Sequence, residues 1–251
     1  MKKILRIILK GISGLILLVM ITFLFFAVKW RLDASRDYAL LGPEAPKIEI
    51  NNKVYRDLNK NGKLDTYENP EAQIEDRVED LINQMNTYEK AGAIFIDMIG
   101  VNSDGTPMEY PTLSDPFSFL MEYSSAQIVK KKMNHFNIRA SHPKEKMVAW
   151  SNALQKMGEQ TRLGIPITIA SDPRHGVPTQ FGASIHTPYF SSWPSALGMG
   201  AIKDSLLVQD FGAIVREEYK ALGIRVALGP MADTSTEPRC CLLYTSDAAD
   251  E

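Results

Sequence analysis

Two stretches of this sequence place reactive groups at short spacing. In Ser171-Asp172-Pro-Arg174-His175-Gly176, a carboxylate, a guanidinium and an imidazole lie within four residues of the exit from a short apolar run, Pro166 to Ser171. A carboxylate at such an exit accepts hydrogen bonds from a polyol, and charge-assisted bonds orient sugar hydroxyls well. Zinc fits less well, because Asp172 and His175 have no further histidine at ligand spacing and zinc wants three or four ligands. The competing reading is a turn capped by Asp172 beside a satisfied, buried His175. The second stretch is Asp57-Leu-Asn-Lys-Asn-Gly-Lys-Leu-Asp-Thr-Tyr-Glu68, which matches a twelve-residue EF-hand loop. Asp57, Asn59, Asn61 and Asp65 would offer side-chain oxygens, Lys63 a backbone carbonyl and Glu68 a bidentate carboxylate, with Gly62 at the sharp turn. Six to eight hard oxygens around one centre suit calcium. No amphipathic helix precedes the loop, and an Asx-rich turn that caps its own backbone is the alternative.

The elements that must carry these groups follow from periodicity. Ile74, Val78, Leu81, Ile82 and Met85 recur at helical spacing, so 74–85 is read as an amphipathic helix. Asn86 to Glu89 has capping-box character and starts a new turn. Residues 93–98 form a short apolar strand. Residues 101–145 show no sustained period and are read as loop with one short helix. Met147, Trp150, Leu154 and Met157 give the next helix, with Gly164 as its C′ residue. Residues 166–171 read as a buried strand, 206–219 as a long helix stopped by Gly223, and 224–228 as a third strand. Strands separated by such helices argue for a parallel α/β sheet, whose functional groups sit past the C-terminal strand ends. Those ends give Asp97, the Asp172–His175 cluster and Asp233. His135, His142 and His186 fall in loops and are read as solvated. Nucleophile-elbow, P-loop and dinucleotide fingerprints are absent, and Gly198-Met-Gly200 is too sparse to serve as one.

Composition narrows the class. The chain has 251 residues, 45% of them hydrophobic, with 28 Lys+Arg against 30 Asp+Glu. That balance excludes a disordered chain and offers no basic excess for nucleic acid. Its 2 cysteines are too few for a disulfide scaffold. Lys2, Lys3, Arg6 and Lys10 precede an uncharged run from Gly11 to Val28, followed by Lys29, Trp30 and Arg31. At about 1.5 Å per residue this run spans roughly 27 Å, so residues 1–31 are expected to form an uncleaved membrane anchor. A cleaved signal is the alternative, disfavoured by the length of the run and the lack of an A-x-A-like site. Either reading places the remainder outside the cytoplasm. Residues 32–53 read as a polar tether. At the other end, 240–251 read as the translation of a transposase sequencing adaptor, with Cys240 straddling the junction, and are set aside.

Four stretches carry a family likeness: Arg77-Val-Glu-Asp-Leu-Ile-Asn-Gln-Met-Asn-Thr-Tyr-Glu-Lys90, Thr161-Arg-Leu-Gly-Ile-Pro166, Ser171 to Val177, and Ala221-Leu-Gly-Ile224 through Leu228-Gly-Pro-Met-Ala-Asp233. The chain resembles the N-terminal barrel of glycoside hydrolase family 3, the beta-glucosidase and beta-xylosidase group, whose secreted members also carry a similar loop ahead of the barrel. The resemblance implies an incomplete (β/α)8 TIM-type barrel over 71–239, behind the anchor and the calcium loop of 54–70. It implies that Asp172 binds sugar hydroxyls in subsite −1 of a beta-linked oligosaccharide or glycoside, and that His175 shapes the pocket wall. No catalytic cofactor is implied. The family's nucleophilic aspartate and acid/base glutamate match no position before residue 239, and Asp233 and Glu237 precede them. The full-length protein is therefore expected to be a membrane-anchored, retaining beta-glycosidase, and this fragment to be inactive. The alternatives are a non-catalytic calcium- and glycan-binding module and a beta-N-acetylhexosaminidase of the same family.

Overall fold

The computed structural model describes residues 2–112, 115–138, 141–175 and 189–229, with the backbone alone for 2–9, 196 and 197. Helix α1 runs from Lys2 to Tyr38. The segment read as a tether is only partly irregular. Its first residues continue α1, and its end forms an antiparallel hairpin, β1 (Lys47–Ile50) and β2 (Lys53–Arg56), turning through Asn51 and Asn52 at positive φ. Asn accepts that conformation more readily than most residues, which is why the turn falls there.

Two helices follow the loop of 57–68. Helix α2 spans Ile74–Gln84 and α3 spans Thr87–Ala93. Asn86 caps α3 reciprocally: its side chain accepts from Glu89 N at 3.0 Å, and Glu89 accepts from Asn86 N at 2.9 Å. Four strands then build one parallel sheet in chain order: β3 (Ile96–Ile99), β4 (His135–Ile138), β5 (Thr168–Ser171) and β6 (Ile224–Ala227). Helix α4 (Lys144–Glu159) connects β4 to β5; α5 (Ala196–Ile202) and α6 (Ser205–Ala221) lie between β5 and β6.

Strand β4 corrects the sequence reading, which left it in a loop, and helix α5 forms where the sequence reading assigned no element. His135-Phe-Asn-Ile138 alternates polar and apolar for only four residues, too short to stand out in a long aperiodic stretch. His135 is consequently a strand residue whose Nδ1 is buried without a hydrogen-bond partner, and His142 is half-buried, so neither is simply solvated. Gly164 also moves. Helix α4 ends at Glu159, and Gly164 instead lets the chain turn at φ 58° against Leu58, where a Cβ would sit 2.9 Å from its side chain. Gly223, at φ 81°, stops α6 as expected.

The sheet has two unlike faces. Ile99, Phe136, Ile138, Ile169 and Ile224 face Met147, Trp150, Leu154 and Met157 of α4, forming the core. Trp150 is fully buried and donates its indole N–H to Gly100 O at 3.1 Å, tying the helix to the end of β3. On the other face, register aligns Met98, Asn137, Ala170 and Val226 in a row across all four strands. This face is exposed at its edges, Met98 by 40% and Val226 by 38%, while Ala170 between them is buried.

The last turns of α1 dock on this body. Tyr123 donates its hydroxyl to Asp37 at 3.1 Å, and Tyr38 points its hydroxyl at Met157 Sδ, 3.5 Å away. Beside them Glu109 is largely buried and accepts hydrogen bonds from the Ser125 backbone N–H and hydroxyl.

Candidate functional site at the exit of β5

Strand β5 delivers Ser171 into the core layer and then turns out, so that Asp172 emerges on the face turned away from the core, two residues past Ala170. Asn137, on the neighbouring strand and the same face, donates its Nδ2–H to Asp172 Oδ2 at 2.8 Å. The backbone of the turn is held as firmly as the side chain. Asp172 O accepts from Tyr219 Oη and from Ser171 Oγ, both at 2.8 Å. Burial raises the pKa of the Tyr219 phenol, which keeps it the donor in that bond.

Arg174 and His175 point inward. Arg174 is 2% exposed; its Nε donates to Ser171 Oγ at 2.8 Å and its Nη2 to Ile138 O at 2.6 Å. Burial pulls its pKa below the ordinary guanidinium value. It therefore splices the exits of β4 and β5 and is not a ligand-facing cation. His175 packs edge-on against Phe190 and Phe211 and beside Tyr219, with Nε2 2.8 Å from Glu218 Oε2. Burial opposes ionisation of Glu218, but hydrogen bonds from Ser191 and His175 outweigh it and hold the carboxyl below its ordinary range. His175 is thus buried behind Asp172 and hydrogen-bonded to Glu218.

Sequence reasoning missed Asn137, Glu218 and Tyr219. Asn137 sat in the unread strand, and consecutive Glu218 and Tyr219 look like ordinary helix surface until the fold brings α6 against the turn. Asp97 is corrected in the opposite direction. It lies inside β3, registers with core-facing Phe136 and accepts from Gln127 Nε2 at 3.1 Å, so it is not part of the site. Gly176, His186, Asp233, Glu237 and the stretch 240–251 lie outside the described residues.

The loop of 57–68 is closed by its own hydrogen bonds. Asp57, 1% exposed, accepts from Asn61 N at 3.0 Å and Gly62 N at 2.7 Å; Glu68 accepts from Asn59 N and Asp65 N, both at 3.0 Å. Asn61 Nδ2 donates to Asp65 Oδ2 at 2.6 Å, and Lys63 N to Asn61 Oδ1 at 2.8 Å. These are the bonds of an Asx-rich turn. Among the described residues, no group of three or more His, Cys, Asp or Glu is placed to hold a metal. Lys60 reaches out to Glu159 O and Thr161 O, at 2.6 and 2.7 Å, and fastens the loop to the end of α4.

A parallel sheet built in chain order, backed by helices, with polar groups gathered at the C-terminal strand ends, defines a TIM-barrel-like α/β domain. Residues 118–247 match the model of the glycosyl hydrolase family 3 N terminal domain, more than half of the chain, and the chain belongs to that family. It is 38% identical over 197 residues to a periplasmic beta-glucosidase/beta-xylosidase of Dickeya chrysanthemi, covering 78% of this chain and 29% of that protein. It is 40% identical over 177 residues to beta-glucosidase C of Emericella nidulans, covering 70% of this chain and 27% of that protein. The chain thus spans less than a third of the length of the curated relatives it matches.

Proposed function

We propose that the full-length protein hydrolyses terminal, non-reducing beta-D-glycosyl residues, with Asp172 accepting sugar hydroxyls in subsite −1 and His175 backing the pocket wall. The observation that carries this is the Asp172 carboxylate on the sheet face turned away from the core, oriented by Asn137 and fixed through its carbonyl by Tyr219. A carboxylate held in place before substrate arrives orders sugar hydroxyls without a further entropic cost. Retention needs a nucleophilic and a protonated carboxyl group about 5 to 5.5 Å apart. In this reading both come from sequence following residue 239, and the 251-residue chain is inactive. The described residues hold four parallel strands, half of the eight that close a TIM barrel. The test is hydrolysis of a chromogenic beta-D-glucoside by the full-length protein and its Asp172→Asn variant. Loss of two charge-assisted hydrogen bonds, at about 1.5 kcal/mol or more each, predicts a drop of about a hundredfold or more in kcat/KM. An unchanged Asp172→Asn enzyme overturns the assignment. Binding without cleavage returns the glycan-binding module, and preference for an N-acetylglucosaminide returns the hexosaminidase.

Two further expectations belong to this reading. Helix α1 crosses a membrane and leaves the domain on the extracytoplasmic side, an assignment supported by the stretch Lys10–Tyr38. Its most apolar 18 residues have a mean hydropathy of 2.6, and none of them is buried by the described residues. Release of the chain by alkaline carbonate would overturn this. The loop of 57–68 takes a structural calcium through Asp57, Asn59, Asn61, Lys63, Asp65 and Glu68, a reading supported by the hard-oxygen donor set. Calcium titration followed by calorimetry tests it, and absence of heat sinks it.

A further inference from the structure

The aromatic side chains of α1 do not all face outward. Phe119, in the turn of 116–120, stacks against two of them: its ring centroid is 6.4 Å from Phe23 and 5.8 Å from Trp30. Trp30 in turn lies 5.8 Å from Phe26, and Arg31 sits 5.1 Å over the ring of Tyr110. A shallow cleft lined by Trp30, Tyr110, Pro111, Phe119 and Tyr123 runs between helix and turn. Next to Phe119, Leu120 is 79% exposed. The charges flanking this apolar tip are both engaged: Glu122 is ion-paired with Lys131, and Asp115 is turned back to accept from Phe117 N at 3.2 Å.

The depth of this contact follows from helix geometry. Val28 ends the uncharged run, and Phe23 lies five residues before it, about 7 Å inside the run at 1.5 Å per residue. Trp30 lies two residues beyond. A side chain that touches both is level with the boundary between acyl chains and headgroups, where amphipathic elements bury apolar groups by about 5 to 10 Å. Arg31 and Lys29 stand at headgroup height, where cations are favoured.

We propose that the turn of residues 116–120 is a second membrane contact, with Phe119 and Leu120 inserted at the lipid interface beside α1. The occupant is a lipid surface because the turn's apolar tip is continuous with the apolar flank of α1, which the other described residues leave largely exposed. This inference rests on α1 crossing the bilayer, as read above. A single anchoring helix would leave the domain free to swivel. A second point of insertion fixes its tilt relative to the membrane.

The test uses the full chain with Cys240→Ser and Cys241→Ser, reconstituted into phosphatidylcholine/phosphatidylglycerol vesicles carrying spin-labelled acyl chains. One cysteine per variant, Leu120→Cys, Leu15→Cys or Tyr88→Cys, receives an environment-sensitive fluorophore. Tyr88 is 81% exposed on α3 and reports a water-facing site. The expected result is quenching at 15 and at 120 several-fold above that at 88, with the label at 120 quenched best by a shallow spin label. Quenching at 15 with none at 120 overturns the second contact and leaves the anchor standing. Absence of quenching at both 15 and 120 overturns the anchor and the inference together.

Discussion

Replacing Glu109 by Gln should stabilise the protein at alkaline pH and leave it unchanged in acid. Burial, with a smaller contribution from the charge of Asp37, pushes the Glu109 carboxyl up to about 7 from an ordinary 4.5, against the opposing hydrogen bonds from Ser125. Below 4.5 the group is protonated in both folded and unfolded chains, and its folded environment costs nothing. As the pH rises, the unfolded chain releases the proton first and the folded state resists. Stability is therefore lost progressively between 4.5 and about 7. At about 1.4 kcal/mol per pH unit, the full loss is about 3 kcal/mol, or roughly 6 to 12 °C in Tm for a chain of this size. A glutamine can still accept from the Ser125 amide while carrying no charge beside Asp37, so the variant should escape this loss. The assay is thermal unfolding in detergent micelles from pH 4 to pH 8.5, parent against Glu109→Gln. A Tm difference that does not change with pH, or a Glu109→Gln variant less stable than the parent at pH 8, refutes the reasoning. The neighbouring phenols do not confuse the measurement: burial holds Tyr38 and Tyr123 up at about 12, so neither titrates in this range.

Other substitutions read other parts of the structure. Asn86→Ala removes the reciprocal cap of α3 and should cost about 1 kcal/mol, seen as a fall in Tm of roughly 2 to 4 °C. Arg174→Met leaves Ile138 O and Ser171 Oγ without their buried donor and should destabilise by about 3 kcal/mol in chemical denaturation; a smaller change than that for Asn86→Ala would contradict the splice between β4 and β5. Glu218→Gln should lower stability near neutrality, where the depressed Glu218 carboxyl is ionised. The deficit should narrow as the pH falls below 4.5 and the parent's carboxylate takes up its proton.

Much of this architecture was legible because it rests on signals that act locally. The α2 stripe, the Asn86–Glu89 box and the Gly223 stop are each specified within a few residues, and each formed where expected. An apolar run located β5 because a buried parallel strand must be apolar on both faces near its middle, and the short run 224–228 located β6, of which only Ile224 is buried. Strand β4 escaped because its polar members, His135 and Asn137, share the face turned away from the core, and only Phe136 and Ile138 mark the core side. The candidate site was half visible. Asp172 could be found from its place after a strand. Its supports could not, because Asn137, Glu218 and Tyr219 reach it across 35 to 47 positions of sequence. Asp97 misled for a related reason: strand ends carry an uncertainty of a residue or two, and one residue decides which face a side chain takes.

The order of the sheet has a bearing on how the protein is made. Every strand from β4 to β6 pairs with the one synthesised just before it. A nascent chain can therefore lay the sheet down vectorially as it is synthesised, each strand finding an edge already formed. Ile96 and Met98 at one edge and Val226 at the other form a tacky margin until later strands cover it. Such margins are where chains of neighbouring ribosomes would stick to one another. In the proposed reading of α1 as an anchor, each emerging domain is tethered to its own patch of membrane, which keeps those margins apart.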